Sequence, residues 1–313
     1  MAEATIRFSI QTPLEGASFA ILARHWQAAE RLGYDSVWLD DHFYGVVTPP
    51  SDDALECWTL MAALARETSS LRFGTLVACN GYRPPALVAK MAASVDHISN
   101  GRLEFGLGAG WYEQEFTAYG YDFPPIGVRL RQLDEALHIC RRMWTEEKAT
   151  YTGKYHCVRD AWCNPKPLQK PYPPIMVGGG GERVLLRIVA THADRWNFGG
   201  SVADFRHKLA VLEAHCRDIG RDPRTIEKSW FGNVIIEADE ERVQRRLAKR
   251  AARAGAAADP LDQRTIVGTP AGVIARIREY VATGVTHFIA MFGRVDRLDS
   301  TELFAREVIA AFR

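Results

Sequence analysis

Short apolar runs and amphipathic stretches alternate from one end of the chain to the other. Ile6 to Gln11 reads as a strand, because a brief apolar run bounded by turn residues fits a strand buried on both faces. Phe19 to Leu32 has helical spacing and is closed by Gly33. The pair recurs as Ser36 to Leu39 with Leu55 to Thr68, Leu71 to Val77 with Pro85 to Ile98, and Leu103 to Leu107 with Val128 to Trp144. After an irregular stretch come Ile175 to Val177 with Glu182 to Thr191, then Asp194 to Phe198 with Phe205 to Ile219. Ser229 to Ile236 precedes helices at Arg242 to Ala254 and Ala271 to Thr283. Thr286 to Met291 with Thr301 to Phe312 ends the series.

Strict strand-then-helix alternation predicts a parallel sheet covered by helices, joined by right-handed crossovers. Eight such units in 313 residues fit a closed α/β (β/α)8 TIM barrel better than an open sheet. The chain is therefore read as one domain, residues 1–313. In that fold every strand C-terminus opens on one mouth, where a site is expected. The proline-rich stretch Tyr151 to Pro174 has no clear period. It is read as an insertion around residues 150–174 that shapes or covers the mouth.

Composition changes this picture little. The chain is 47% hydrophobic and 25% charged, ordinary for a globular protein, and 39 basic against 38 acidic residues leave a net charge of +1. Nothing global favours nucleic acid or membrane. The basic run Arg242, Arg245, Arg246, Lys249, Arg250 and Arg253 reads as a solvated helix face. Six scattered cysteines form no C-x-x-C pair or zinc spacing. With no signal peptide and no apolar run of spanning length, a cytoplasmic protein with reduced thiols is expected.

Candidate chemistry gathers at the strand ends. Four glycines, Gly178, Gly179, Gly180 and Gly181, sit between an apolar run and a helical stretch. Glycines there let backbone N–H groups close on an anion, and the helix dipole adds favourable potential. A flexible packing turn is the alternative. Asp40-Asp41-His42-Phe43 follows the second strand, where two carboxylates and an imidazole can orient a substrate, move a proton or hold a metal. No second histidine lies close in sequence, which argues against a metal. Otherwise Asp41 caps a turn and His42 is a loop histidine. Gly106-Leu-Gly108-Ala109-Gly110-Trp111 follows the fourth strand with a spacing that is not the dinucleotide fingerprint. Its glycines bring backbone close to something flat, or else pack a narrow barrel strand. Trp111 and Trp196 offer aromatic faces. Together these loops look built for a planar, phosphorylated cofactor.

These motifs carry a specific resemblance. Asp41-His42, Arg83-x-Pro85-Ala86, Ser99-Asn-Gly101-Arg102-x-x-x-Gly106-x-Gly108-x-Gly110-Trp111, Pro174-Ile-Met-Val-Gly-Gly-Gly-Gly and Ala193-Asp194-x-Trp196-Asn197 resemble the bacterial luciferase-like monooxygenase superfamily. The similarity runs from residue 6 to about 311, and is greatest to the branch assigned to the deazaflavin coenzyme F420, with FMN the alternative. It implies a barrel oxidoreductase that exchanges a hydride between F420 and a small organic substrate. It implies that Asp41 and His42 flank the ring, with His42 the catalytic proton donor. It places a non-prolyl cis peptide at Leu76-Val77, sets Ala78, Cys79 and Asn80 beside the cofactor, and gives the phosphate to the four glycines.

One departure stands out. F420-dependent sugar-phosphate dehydrogenases of the superfamily carry a glutamate where this chain has Trp111, which argues against that activity and leaves the proton acceptor unassigned. An FMN-dependent monooxygenase and a non-catalytic cofactor-binding barrel remain open. A metal-dependent hydrolase would need a histidine pair, and none of the nine histidines forms an H-x-H. No metal is expected. The expected partners are a small-molecule substrate and a second copy of the chain, in a homodimer, without nucleic acid or membrane. F420 would need cations near the mouth for its anionic tail, and Arg83, Lys154, Arg183 and Arg195 are the sources considered.

Overall fold

A computed structural model describes residues 5–46, 48–254 and 262–313; Val47, residues 1–4 and residues 255–261 lie outside this set, as does the Arg253 side chain. Eight parallel strands close into a barrel: Arg7–Thr12, Ser36–Leu39, Arg72–Thr75, Leu103–Gly108, Ile175–Gly178, Arg195–Phe198, Glu227–Ile236 and His287–Met291. Each pairs with its sequence neighbour, as Ile10 with Val37 and Gly106 with Met176. Closure comes from Phe8 pairing with Phe288 across the first and eighth strands. The expected (β/α)8 architecture is present.

The helices form where the sequence supplies both an apolar face and a way to start. Pro84 and Pro85 open helix Pro85–Ile98, where a missing N–H costs nothing. Ser201 and Asp204 form a capping box ahead of helix Val202–Asp218. Glu56 accepts the Trp58 and Thr59 N–H groups at the start of helix Cys57–Glu67. Most of the core lies between strands and helices, with Trp26, Trp58, Phe105, Trp144, Trp196 and Phe205 fully buried.

The barrel interior is layered. At its base, fully buried Glu104 meets Arg7 and Arg72 at 2.7 Å and Arg195 at 2.5 Å, while Glu227 meets Arg195 at 2.7 Å and Arg7 at 3.1 Å. Burial pushes the Glu104 carboxyl up, but the Arg195, Arg7 and Arg72 charges outweigh it and hold the group ionised well below the usual carboxylate range. Above this, Ser9 bonds Ser36 at 2.6 Å and His287 at 2.8 Å. Trp38, Met176 and Ile289 then fill the centre. The barrel is therefore a cup, closed at the strand N-termini.

Several expectations need correction. Residues 151–174 do not cover the mouth. Lys148–Thr152 and Cys157–Trp162 form an antiparallel hairpin beside helix Ile126–Thr145. The rest crosses toward the base, where the Gln169 side chain bonds Asp96 and the Leu103 carbonyl at 2.7 Å. The helix after the four glycines begins at Leu185 rather than Glu182, because Glu182 is drawn onto the next helix by Lys208 at 2.5 Å and by His215 on its carbonyl at 2.8 Å. The last helix is broken into Asp299–Leu303, a π turn Phe304–Val308 and a 3-10 turn Ile309–Phe312. Both Phe304 and Phe312 reach the Phe8 ring.

Candidate active site

A cleft of about 500 Å³ opens at the C-terminal strand ends. Asp41, His42, Leu76, Val77, Cys79, Gly108, Ala109, Gly110, Trp111 and Gly178 to Gly181 all line it. Residues from four separate strand ends therefore meet at one mouth. A second cleft, about 650 Å³, lies at the opposite end among Arg7, Arg72, Arg195 and Glu227. Those charges are consumed by the base network, so its larger volume does not make it the better site.

The floor of the mouth cleft is built around Val77. The Leu76-Val77 peptide bond is cis. A Cβ placed on Gly108 would lie 2.6 Å from Val77 Cγ2, and one on Gly178 3.2 Å from Val77 Cγ1. These glycines therefore make room for a valine side chain. Asp41 braces the same wall from behind. One of its oxygens accepts the Cys79 N–H at 2.9 Å, and Arg83 grips both at 2.8 and 3.0 Å. Burial opposes the Arg83 charge, but Asp41 and Glu56 outweigh it and hold the guanidinium firmly protonated. Arg83 is thus spent within the protein.

Three expected contacts fall elsewhere. Ala78 and Asn80 are buried off the cleft, since side chains alternate along an extended segment and only Cys79 points in. Burial pushes the Cys79 thiol up to about 12, so it is a neutral wall rather than a nucleophile. Trp196 is fully buried behind the glycine loop, stacked on Phe198, with its indole N–H donating to the Gly179 carbonyl at 2.8 Å. Its neighbours Asn197 and Phe198 line the cleft instead. Among the cations considered for an anionic tail, Arg195 sits in the base network and Lys154 on the hairpin over Tyr155. Arg183 is exposed beside the glycine loop, and Arg264, which the sequence reading missed, lines the mouth and pairs with Asp262.

The four glycines divide their work. Gly179 has φ +123° and its N–H donates to the Asn197 carbonyl at 2.9 Å. Among the described residues, the N–H groups of Gly180 and Gly181 have no recorded acceptor. The N–H groups left free to meet an anion are therefore those at the end of the run.

His42 belongs to a buried hydrogen-bonded cluster. Its Nδ1 lies 2.8 Å from Oε2 of Glu115, a fully buried carboxylate on the short helix Glu113–Ala118. Glu115 also accepts the Phe43 N–H at 2.5 Å and the Tyr82 hydroxyl. Burial pulls the His42 imidazole down, but its bond to Glu115 and the charges of Glu115, Asp40 and Asp41 prevail and raise it above its ordinary 6.5. Desolvation pushes the half-buried Asp40 carboxyl beside it up to about 7. Because the protonated ring is favoured, the pairing stabilises the fold fully below about pH 6.5 and fades as pH rises through the raised value. Trp111 and Tyr112 stand edge-on to the imidazole at 5.9 and 6.1 Å, with Trp111 64% exposed at the rim. Glu115 is not legible as a partner in the sequence, since 73 residues separate it from His42.

This dyad gives a pH signature. Glu115→Gln is expected to move the His42 limb of the activity profile to lower pH, because the charge that raises the imidazole is gone. A profile that stays in place would assign that limb to another group.

Comparison with known proteins agrees with this arrangement. The Luciferase-like monooxygenase family model matches residues 4–287. An uncharacterised Mycobacterium tuberculosis protein is 32% identical over 196 residues, and the match spans 63% of this chain and 65% of that relative. An F420-dependent glucose-6-phosphate dehydrogenase of Kineococcus radiotolerans is 30% identical, covering 91% of this chain and 90% of its own. An FMNH(2)-dependent dimethylsulfone monooxygenase of Pseudomonas putida is 27% identical, covering 92% and 86%. The solved F420-dependent secondary alcohol dehydrogenase, in complex with an F420-acetone adduct, shares the fold with a TM-score of 0.82 at 20% identity, covering 99% of both chains. The chain belongs to the luciferase-like monooxygenase family.

Proposed function

We propose that this protein is an oxidoreductase that moves a hydride between coenzyme F420 and a small organic substrate at the mouth of the barrel. The observation that carries the reading is the convergence on one cleft of the Val77 floor, the glycine loop and the His42–Glu115 pair. The residues present fit such a cofactor. Val77 gives a flat apolar floor for a ring, and the Gly180 and Gly181 N–H groups suit a phosphate. Arg183 and Arg264 supply positive charge for an anionic tail near the rim. F420, when bound, supplies a ring carbon that donates or accepts the hydride.

The protein's own part is to hold, orient and move a proton. Glu115 fixes His42 through Nδ1, which leaves Nε2 as the atom that gives or takes a proton at the substrate. Phe43, packed on Tyr82 and Tyr119 at 4.7 and 4.4 Å, stiffens that loop. Trp111 stands where sugar-phosphate dehydrogenases carry a glutamate, so we place the substrate outside the sugar phosphates and toward apolar or planar molecules.

An FMN-dependent monooxygenase is the second reading, supported by the similarity to the dimethylsulfone enzyme over nearly the whole chain. Titrating the apo protein with F420 and with FMN, followed by cofactor fluorescence, separates them. F420 is expected to bind at least about tenfold more tightly, a difference of about 1.4 kcal/mol. Tighter FMN binding overturns the F420 assignment, and no binding of either overturns the cofactor reading as a whole. We also take the chain to act as one domain in the cytoplasm and to form a homodimer, the last of which sedimentation of the same samples tests. No described helix is long and apolar enough to cross a membrane.

A further inference from the structure

We propose that Asp134, His138 and His192 form a divalent transition-metal site on the outer face of the barrel, where an ion would clip helix Ile126–Thr145 to helix Leu185–His192. Asp134 and His138 are four residues apart, so the helical pitch stacks them one turn apart on the same face. His192 arrives from the last turn of the neighbouring helix. One donor atom from each of the three lies within 4.8 Å of the other two. Tetrahedral zinc holds its nitrogen and oxygen donors about 3.4 Å apart, given bonds of about 2.1 Å. Small rotations of exposed side chains close the remaining gap.

The donor set is chemically apt. Two imidazoles and a carboxylate leave a fourth position for water, the arrangement of a three-ligand zinc site. Imidazole donors select zinc, copper or nickel over magnesium or calcium. His192 is the buried member of the set. The residue is 1% exposed; its Nε2 meets Asp134 Oδ1 at 2.9 Å, and its Nδ1 is buried with no hydrogen-bond partner. Nε2 is the ring nitrogen turned to Asp134, so it is the ligand atom, and an ion there would replace its bond to the carboxylate. His138 stands perpendicular to that ring, with centroids 4.4 Å apart. Neither the cysteine spacing nor the search for an H-x-H pair reveals a D-x-x-x-H pair completed by a histidine from another helix.

The site lies away from the mouth. Ile126 and Leu130 of the first helix line the cleft, and Asp134 lies one turn further along. Its role is therefore to join helices rather than to take part in hydride transfer.

The test uses tag-free, chelator-stripped full chain. Calorimetry with Zn²⁺ and the visible spectrum of Co²⁺ are expected to report one equivalent bound, with a higher unfolding midpoint in the presence of metal. Asp134→Asn and His138→Gln are each expected to weaken Co²⁺ binding at least about tenfold, with F420 affinity unchanged. Asp134 is 44% exposed in its side chain, so the first variant tests the site without opening the core. Circular dichroism checks that each variant is folded, and either one alone suffices. No saturable binding up to about 100 µM metal, or binding that the folded variants retain, overturns the proposal.

Discussion

Replacing His42 by alanine is expected to lower turnover by about 10²–10⁴-fold, the range of a positioned general acid or base. Cofactor affinity should fall far less. The side chain faces the cleft, but the floor and the glycine loop are supplied by other segments. The fold should survive, since Glu115 keeps the Phe43 N–H and the Tyr82 hydroxyl as partners. A single-turnover measurement of F420 absorbance, run beside a binding titration, separates the two effects. Full turnover in the variant would reduce His42 to a loop residue held by an unusually well-bonded carboxylate.

The second large effect is expected at the glycine loop. Gly180→Val should weaken cofactor binding at least about tenfold, about 1.4 kcal/mol. A Cβ there would lie 2.5 Å from Phe198 Cε2, so the loop or the ring must move, and the N–H groups of Gly180 and Gly181 move with it. Gly179 is a poorer test. Its φ of +123° and the 2.5 Å approach to Leu185 Cδ2 mean that any side chain strains the backbone before a ligand is considered. Gly181→Ala serves as the control, because its nearest neighbour, Leu185 Cβ, lies at an ordinary 3.4 Å. Parent-like affinity in Gly180→Val would place the phosphate elsewhere.

Much of the fold was legible because barrel strands, covered on both faces, must be apolar runs, while their helices carry one apolar stripe. The strand ends therefore announced the mouth, and Asp41, His42, Val77 and the glycines were found by position. What escaped was direction and pairing. Trp196 and Asn197 are adjacent on one strand, and only the register of the pleat decides which meets the cleft. Cys79 faces inward while Ala78 and Asn80 do not, for the same reason. Glu115 was invisible as the partner of His42 because the two meet only through tertiary packing. Glu182 reads as helical, yet Lys208 and His215, contributed by another helix, draw it out of the helix. The hairpin from Lys148 to Trp162 was missed because its outward residues are polar and its contacts lie beside a helix rather than in the sheet.

The buried charges around Glu104 have a kinetic meaning. A vessel stoppered at one end by Arg7, Arg72 and Arg195, and filled above them by Trp38, Met176 and Ile289, has a single door. A cofactor and a substrate that met above that stopper would both have to come and go by the mouth.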